Sequence, residues 1–179
     1  MAPHSFTRSA HSRAPIEEVW PLLGEAHRWS LWSFLDHSGL VSEGEPAPDG
    51  VGAVRRFSRY GTGSTEEVVA WDPPHHLAYT IVSGLPVLRY RADVVLTSEP
   101  GADAGGPVGT DAGGPVGADA GGQVGTTVTW SVVFTPKVPG TGALLGGVLR
   151  PLIQGFATSV CRYADQHTGS DGEAGKVTA

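Results

Sequence analysis

From Val51 to Trp71 apolar and polar residues alternate in two runs, VGAVRRFS and STEEVVAW, on either side of a glycine-rich stretch. A period of two is the pattern of half-buried β-strands, whose successive side chains point to opposite faces. Comparable runs predict further strands at Asp36–Ser42, His76–Ser83, Val87–Ser98 and Thr126–Thr135, with a first strand from His4 to Arg13. The segments GTG, DPPH and GLP between them carry turn chemistry. Elsewhere the period lengthens to that of a helix. PIEEVWPLLG places Pro15 in a first helical turn, acidic residues at its start and Gly24 at its end, and EAHRWSLWSF predicts a second short helical piece. A long helix is expected from about Thr141 to Gln166, with Leu145, Leu149, Leu152, Phe156 and Val160 on one stripe. Leu144, Val148 and Ile153 widen that stripe, and Pro151 predicts a kink.

The strand pattern is interrupted by charge. Arg55 and Arg56 are adjacent, as are Glu66 and Glu67, so one of each pair should face inward. With Tyr60–Gly63 as a four-residue loop, Ser64 stands opposite Arg59; a two-residue loop preserves the same parity. Either way Arg55 shares a face with Glu66, Val51, Ala53, Phe57, Val68 and Ala70, while Arg56 goes with Glu67 and Trp71 on the other. A DPPH loop adds Leu77, Tyr79 and Ile81 to the first face. The next turn adds Leu88, Tyr90, Ala92, Val94 and Leu96, and the last strand adds Val128, Trp130, Val132 and Phe134. One face of the meander is thus apolar except for Arg55, Glu66 and two tyrosines. Two readings of the inward charges stand together: a buried ion pair that fixes register, its partners satisfied by tyrosine hydroxyls, or a polar anchor in a ligand pocket.

Composition narrows the classes. The chain has 179 residues and a net charge of −6, which suits one domain with a sizeable core and leaves no basic footprint for nucleic acid. Cys161 is the lone cysteine and is expected to be a small core residue, so no disulfide framework or Cys-based zinc site is available. The N-terminal stretch shows no apolar signal core, and Arg150, Pro151 and Gln154 interrupt the most apolar segment, so a cytoplasmic protein without membrane insertion is expected. Ten Arg against two Lys and the absence of Asn suggest a high-GC bacterial genome. Three octapeptides (GADAGGPV, GTDAGGPV, GADAGGQV) fill 101–124; three valines are their only large side chains, which predicts a disordered loop. Residues 169–179 are expected to be a flexible tail.

The stretches API-EEVW-LL (14–23), W-LW (29–32), DGVGAVRRF (49–57), EEVVAWDPPHHLAYTIVSGLP (66–86) and GTTVTWSVVFTPKVPG (125–140) carry a resemblance. In them and in its element order the chain resembles the START/Bet v 1-like superfamily (SRPBCC), and within it the bacterial polyketide cyclase/dehydrase and lipid-transport group. The resemblance implies an α+β helix-grip fold over residues 1–168. A bent seven-stranded antiparallel sheet would wrap around a long C-terminal helix, with two short helices after the first strand. It also implies a deep cavity between sheet and helix.

Such a cavity suits a hydrophobic or aromatic small molecule. For aldol-type cyclisation or dehydration, Arg55 is the candidate to hold a carbonyl oxygen, Glu66 to move protons, and Tyr79 or Tyr90 to donate a hydrogen bond. Trp32, Phe57, Trp130 and Phe134 are expected to shape the walls, with Val68, Ile81, Val94, Val132, Leu149 and Phe156 as further ligand contacts. A non-catalytic carrier or sensor of a hydrophobic ligand or lipid would use the same walls. Other motifs carry less: GVGAVR lacks the third glycine of a dinucleotide fingerprint and opens a strand, and GALLGG lacks the ending of a phosphate loop. His27, His37 and the His75-His76 pair have no partners at ligand spacing, so no metal or cofactor is indicated. A monomer or homodimer is expected.

Overall fold

The computed structural model describes residues 2–99 and 125–168; the octapeptide segment 101–124 and the tail 169–179 lie outside them. Strand β1 (His4–Ser12) leads into helix α1 (Ile16–Gly24), a short 3-10 turn (Ala26–Arg28) and helix α2 (Trp29–Trp32). Six strands follow: β2 (His37–Ser42), β3 (Val54–Arg59), β4 (Thr62–Asp72), β5 (His76–Ser83), β6 (Val87–Glu99) and β7 (Gly125–Pro136). Helix α3 (Gly142–His167) closes the described chain. The strands form one antiparallel sheet in the order β1-β7-β6-β5-β4-β3-β2, which is the helix-grip arrangement.

Pro15 caps α1 rather than entering it: its carbonyl accepts from the N–H groups of Glu18 and Val19. At the other end of α1 two indoles take up free carbonyls. Trp29 Nε1 donates to Leu23 O at 2.9 Å and Trp32 Nε1 to Leu22 O at 2.8 Å, so the helix end is satisfied by the side chains it positions.

The β3–β4 connection is shorter than a four-residue loop. Arg59 stands opposite Thr62, and Tyr60 and Gly61 form the turn with φ of 49° and 78°. Positive φ at both central positions is the two-residue hairpin geometry whose twist matches the strands. Parity survives, and Arg55 lies directly opposite Glu66. Gly63 and Gly84 touch here: a Cβ on Gly84 would collide with the Gly63 carbonyl, so this approach of two hairpins requires glycine.

Irregularities in the ladder displace several inward assignments. A register shift between Val68 and Ala70 sets Trp71 opposite the buried Leu77 and against Trp20, so Trp71 faces the core and Ala70 leaves that face. A second shift between Val87 and Arg89 turns Val87 inward and leaves Leu88 57% exposed. Val51 precedes β3 and is exposed.

The main stripe of α3 faces the core as expected, with Leu145 and Leu152 partly buried against it, but its margin lies differently. Leu149, Ile153, Phe156, Ala157, Val160, Cys161 and Ala164 are buried, whereas Leu144 and Val148 face outward. The small residues Gly142 and Gly146 take the buried positions in the first turns. Pro151 sits within α3 without ending it. Burial pushes the Cys161 thiol up to about 12. By length and composition α3 would suffice to cross a membrane, but here its apolar stripe is laid on the sheet.

Candidate functional site

Between the concave sheet and α3 lies a cavity of about 230 Å³. The β3–β4 hairpin supplies Phe57, Arg59, Thr62, Gly63, Ser64 and Glu66; β5, β6 and their turn supply Tyr79, Ile81, Gly84, Leu85 and Tyr90. Trp29, Phe34 and Leu35 come from α2 and the segment after it, and Leu149, Leu152, Ile153 and Phe156 from α3.

Glu66 is the carboxyl of this wall. It is 6% exposed, and burial pushes it up to about 7, with the charge and hydrogen bond of Arg55 pulling the other way. Arg55 lies behind the wall, fully buried, with Nη2 donating to Glu66 Oε2 at 3.3 Å. Its Nε and Nη1 find no hydrogen-bond partner among the described residues. Instead the guanidinium is enclosed by the rings of Trp29, Phe57 and Tyr79, each centroid 5.3 Å from Cζ. Three aromatic faces supply attraction to a cation where water cannot reach. The expectation that tyrosine hydroxyls satisfy the pair is therefore corrected: the Tyr79 ring, not its hydroxyl, faces Arg55.

The hydroxyls face other work. Trp130 Nε1 donates to Tyr79 Oη at 3.2 Å, and the Tyr79 and Tyr90 hydroxyls interact with each other. Burial raises Tyr79 and Tyr90 well above the ordinary phenol value, so both stay neutral donors.

The structure brings together only part of the predicted set. Glu66, Tyr79, Tyr90, Phe57, Ile81, Leu149 and Phe156 line the cavity. Arg55 does not reach it. Trp32, Val68, Val94, Trp130, Val132 and Phe134 are buried but lie outside the lining, in the packed part of the core. The reason is Trp29. Its ring stacks on Phe57 at 4.6 Å and meets Trp130 and Phe156 edge-on at 5.7 Å, covering Trp130 and Trp32, whereas Phe134 is stacked on His4. Trp29, Phe34, Leu35, Arg59, Thr62, Ser64, Leu85, Leu152 and Ile153 were not among the expected contacts. Leu152 and Ile153 stood on the helical stripe, and Arg59 continues the inward odd-numbered series of β3. Trp29 is one of two tryptophans in a single short helix, and nothing in the local pattern ranks it above Trp32.

The model of the family described as polyketide cyclase / dehydrase and lipid transport matches residues 3–164. The chain belongs to this family. No curated protein sequence matches it. Among solved structures, a START superfamily protein from Mycobacterium smegmatis superposes with TM-score 0.65 at 10% identity, over 91% of this chain and 98% of that one. The crystal structure of Ara h 8.0201 gives 0.62 at 16% identity, over 91% and 98%. A solution structure from Thermobifida fusca gives 0.61 at 22%, over 90% and 93%. At these identities the likeness shows the START/Bet v 1 fold, within which this polyketide cyclase/dehydrase family member sets its cavity between sheet and C-terminal helix.

Proposed function

We propose that this protein binds a small hydrophobic or aromatic carbonyl compound in the cavity and promotes aldol-type cyclisation or dehydration. The observation that carries the reading is Glu66, a carboxyl raised to about 7 on an otherwise largely apolar wall beside two neutral phenols. Near neutral pH such a group is present both as acceptor and as donor of a proton, the condition that favours general acid–base work. Ionised Glu66 removes the proton from the carbon next to a substrate carbonyl. The C–H electron pair moves into an enolate, whose oxygen accepts a hydrogen bond from Tyr79 or Tyr90. The enolate carbon attacks a second carbonyl of the same molecule, and protonated Glu66 returns its proton to the new alkoxide. Loss of that hydroxyl with a neighbouring proton, as water, completes a dehydration.

Arg55 enters this reading as a positioning residue: it holds the carboxyl that acts and does not touch the substrate. That same observation favours the second reading, a non-catalytic carrier or sensor, because the deep wall lacks a cation to hold developing oxyanion charge. Exchange of the α-protons of 2-tetralone in deuterated buffer separates the two. Catalysis predicts faster exchange with the protein than without it, rising with pH through about 7 and lost in Glu66→Gln. A saturable complex with no acceleration supports the carrier.

A further inference from the structure

The cavity carries two charged side chains, and only Glu66 belongs to the chemistry above. The other is Arg59, at the exposed end of β3, where it lines the outer part of the cavity with Thr62 and Ser64. Hairpin parity places all three on the same inward face as Glu66. Among the described residues Arg59 has no carboxylate partner. The nearby Asp36 carboxylate is taken up by the backbone N–H of Tyr60 at 2.6 Å. The guanidinium is held by rings instead, 5.2 Å from the Phe34 centroid and 4.9 Å from that of Tyr60, with Nη2 donating to Tyr60 Oη at 3.3 Å. Phe34 in turn stacks on Phe156 at 5.0 Å and 12°, tying the cation to the aromatic wall. A planar, pre-positioned cation beside two hydroxyls that have no side-chain hydrogen-bond partner among the described residues is a fork suited to a carboxylate.

The spacing limits the ligand. Four strand positions separate the Arg59–Thr62 pair from the Arg55–Glu66 pair, about 13 Å at the rise of a β-strand. An apolar cavity of about 150 Å³ suffices for one benzene ring, so 230 Å³ between those ends suits a body of one or two rings. We infer that the ligand is an amphipathic carboxylate: its acid group sits on Arg59, Thr62 and Ser64, and its one- or two-ring body runs inward to a hydroxyl or carbonyl at Glu66.

This inference rests on the cavity being a small-molecule site, and paired probes separate the two. Calorimetric titration of the intact protein with 6-hydroxy-2-naphthoate and with neutral 2-naphthol, in wild type and Arg59→Gln, reads each part. The expected result is tighter binding of the naphthoate in wild type. Arg59→Gln then weakens it about tenfold and leaves the naphthol dissociation constant unchanged; added salt weakens the naphthoate alone. Equal affinity of both probes in wild type, or equal weakening of both by Arg59→Gln, overturns the carboxylate assignment and leaves the cavity reading standing. Binding of neither probe overturns both.

Discussion

A carboxyl whose folded pKa lies near 7 takes up its proton more readily in the native state than in the unfolded chain, where it titrates near 4.5. Between those values the native state holds a proton at Glu66 that the unfolded state has lost, so stability falls as pH rises through this window. The full contribution is present below pH 4.5 and is lost above about 7. It amounts to about 3 kcal/mol at 1.36 kcal/mol per unit. Chemical denaturation at a series of pH values should show this decline in wild type and a flatter profile in Glu66→Gln, which remains neutral throughout. The neighbouring arginines differ in the same currency. Arg55→Ala removes the one cation that opposes desolvation of Glu66. It should cost about 3–5 kcal/mol and move the Glu66 titration still higher. Arg56 is exposed, has no ion-pair partner among the described residues and stands opposite Thr65, so Arg56→Ala should leave the denaturation midpoint nearly unchanged.

Elements were legible in the sequence wherever periodicity alone decides them. Strand β5 spans the residues its alternation predicts, and the shared face of Arg55 and Glu66 follows from parity that either loop length preserves, whereas their direct pairing depends on the two-residue turn. What escaped was local in another sense. The shift at Val68–Ala70 inserts one residue into a strand whose composition does not announce it, and the β4 residues beyond it, Ala70 and Trp71, change face. On α3 the main stripe is legible, but Leu144 and Val148, which periodicity adds to its margin, face outward, whereas the sheet accepts Gly142 and Gly146. A helix face is chosen by what packs closely, and small residues allow the closer approach. Leu149→Ala should therefore cost about 2–5 kcal/mol, as for a buried leucine. Leu144→Ala, at a position 74% exposed, should shift the thermal midpoint little. Side-by-side thermal melts check the rotation of the helix directly.

At the scale of the molecule, the division between packed core and cavity is set by one aromatic cluster. Trp29, Trp130 and Phe156 close part of the concave face, and the space that remains opens toward the β3–β4 hairpin and the β5–β6 turn. Single-chain pattern reading finds the inward face but not where filling stops, because that depends on which of two neighbouring tryptophans reaches across the sheet. Glu99 and Gly125, the described residues that flank the octapeptide segment, pair at the end of β6–β7 away from Tyr90. In the space that remains, Glu66 is the one carboxyl of the lining among the described residues. Carbon-13 NMR of the side-chain carboxyl of Glu66, followed through a pH titration with and without 2-naphthol, tests its proposed role most directly. The predicted result is a midpoint near 7 in the free protein that moves when the ligand binds; a midpoint near 4.5 that ignores the ligand would contradict it.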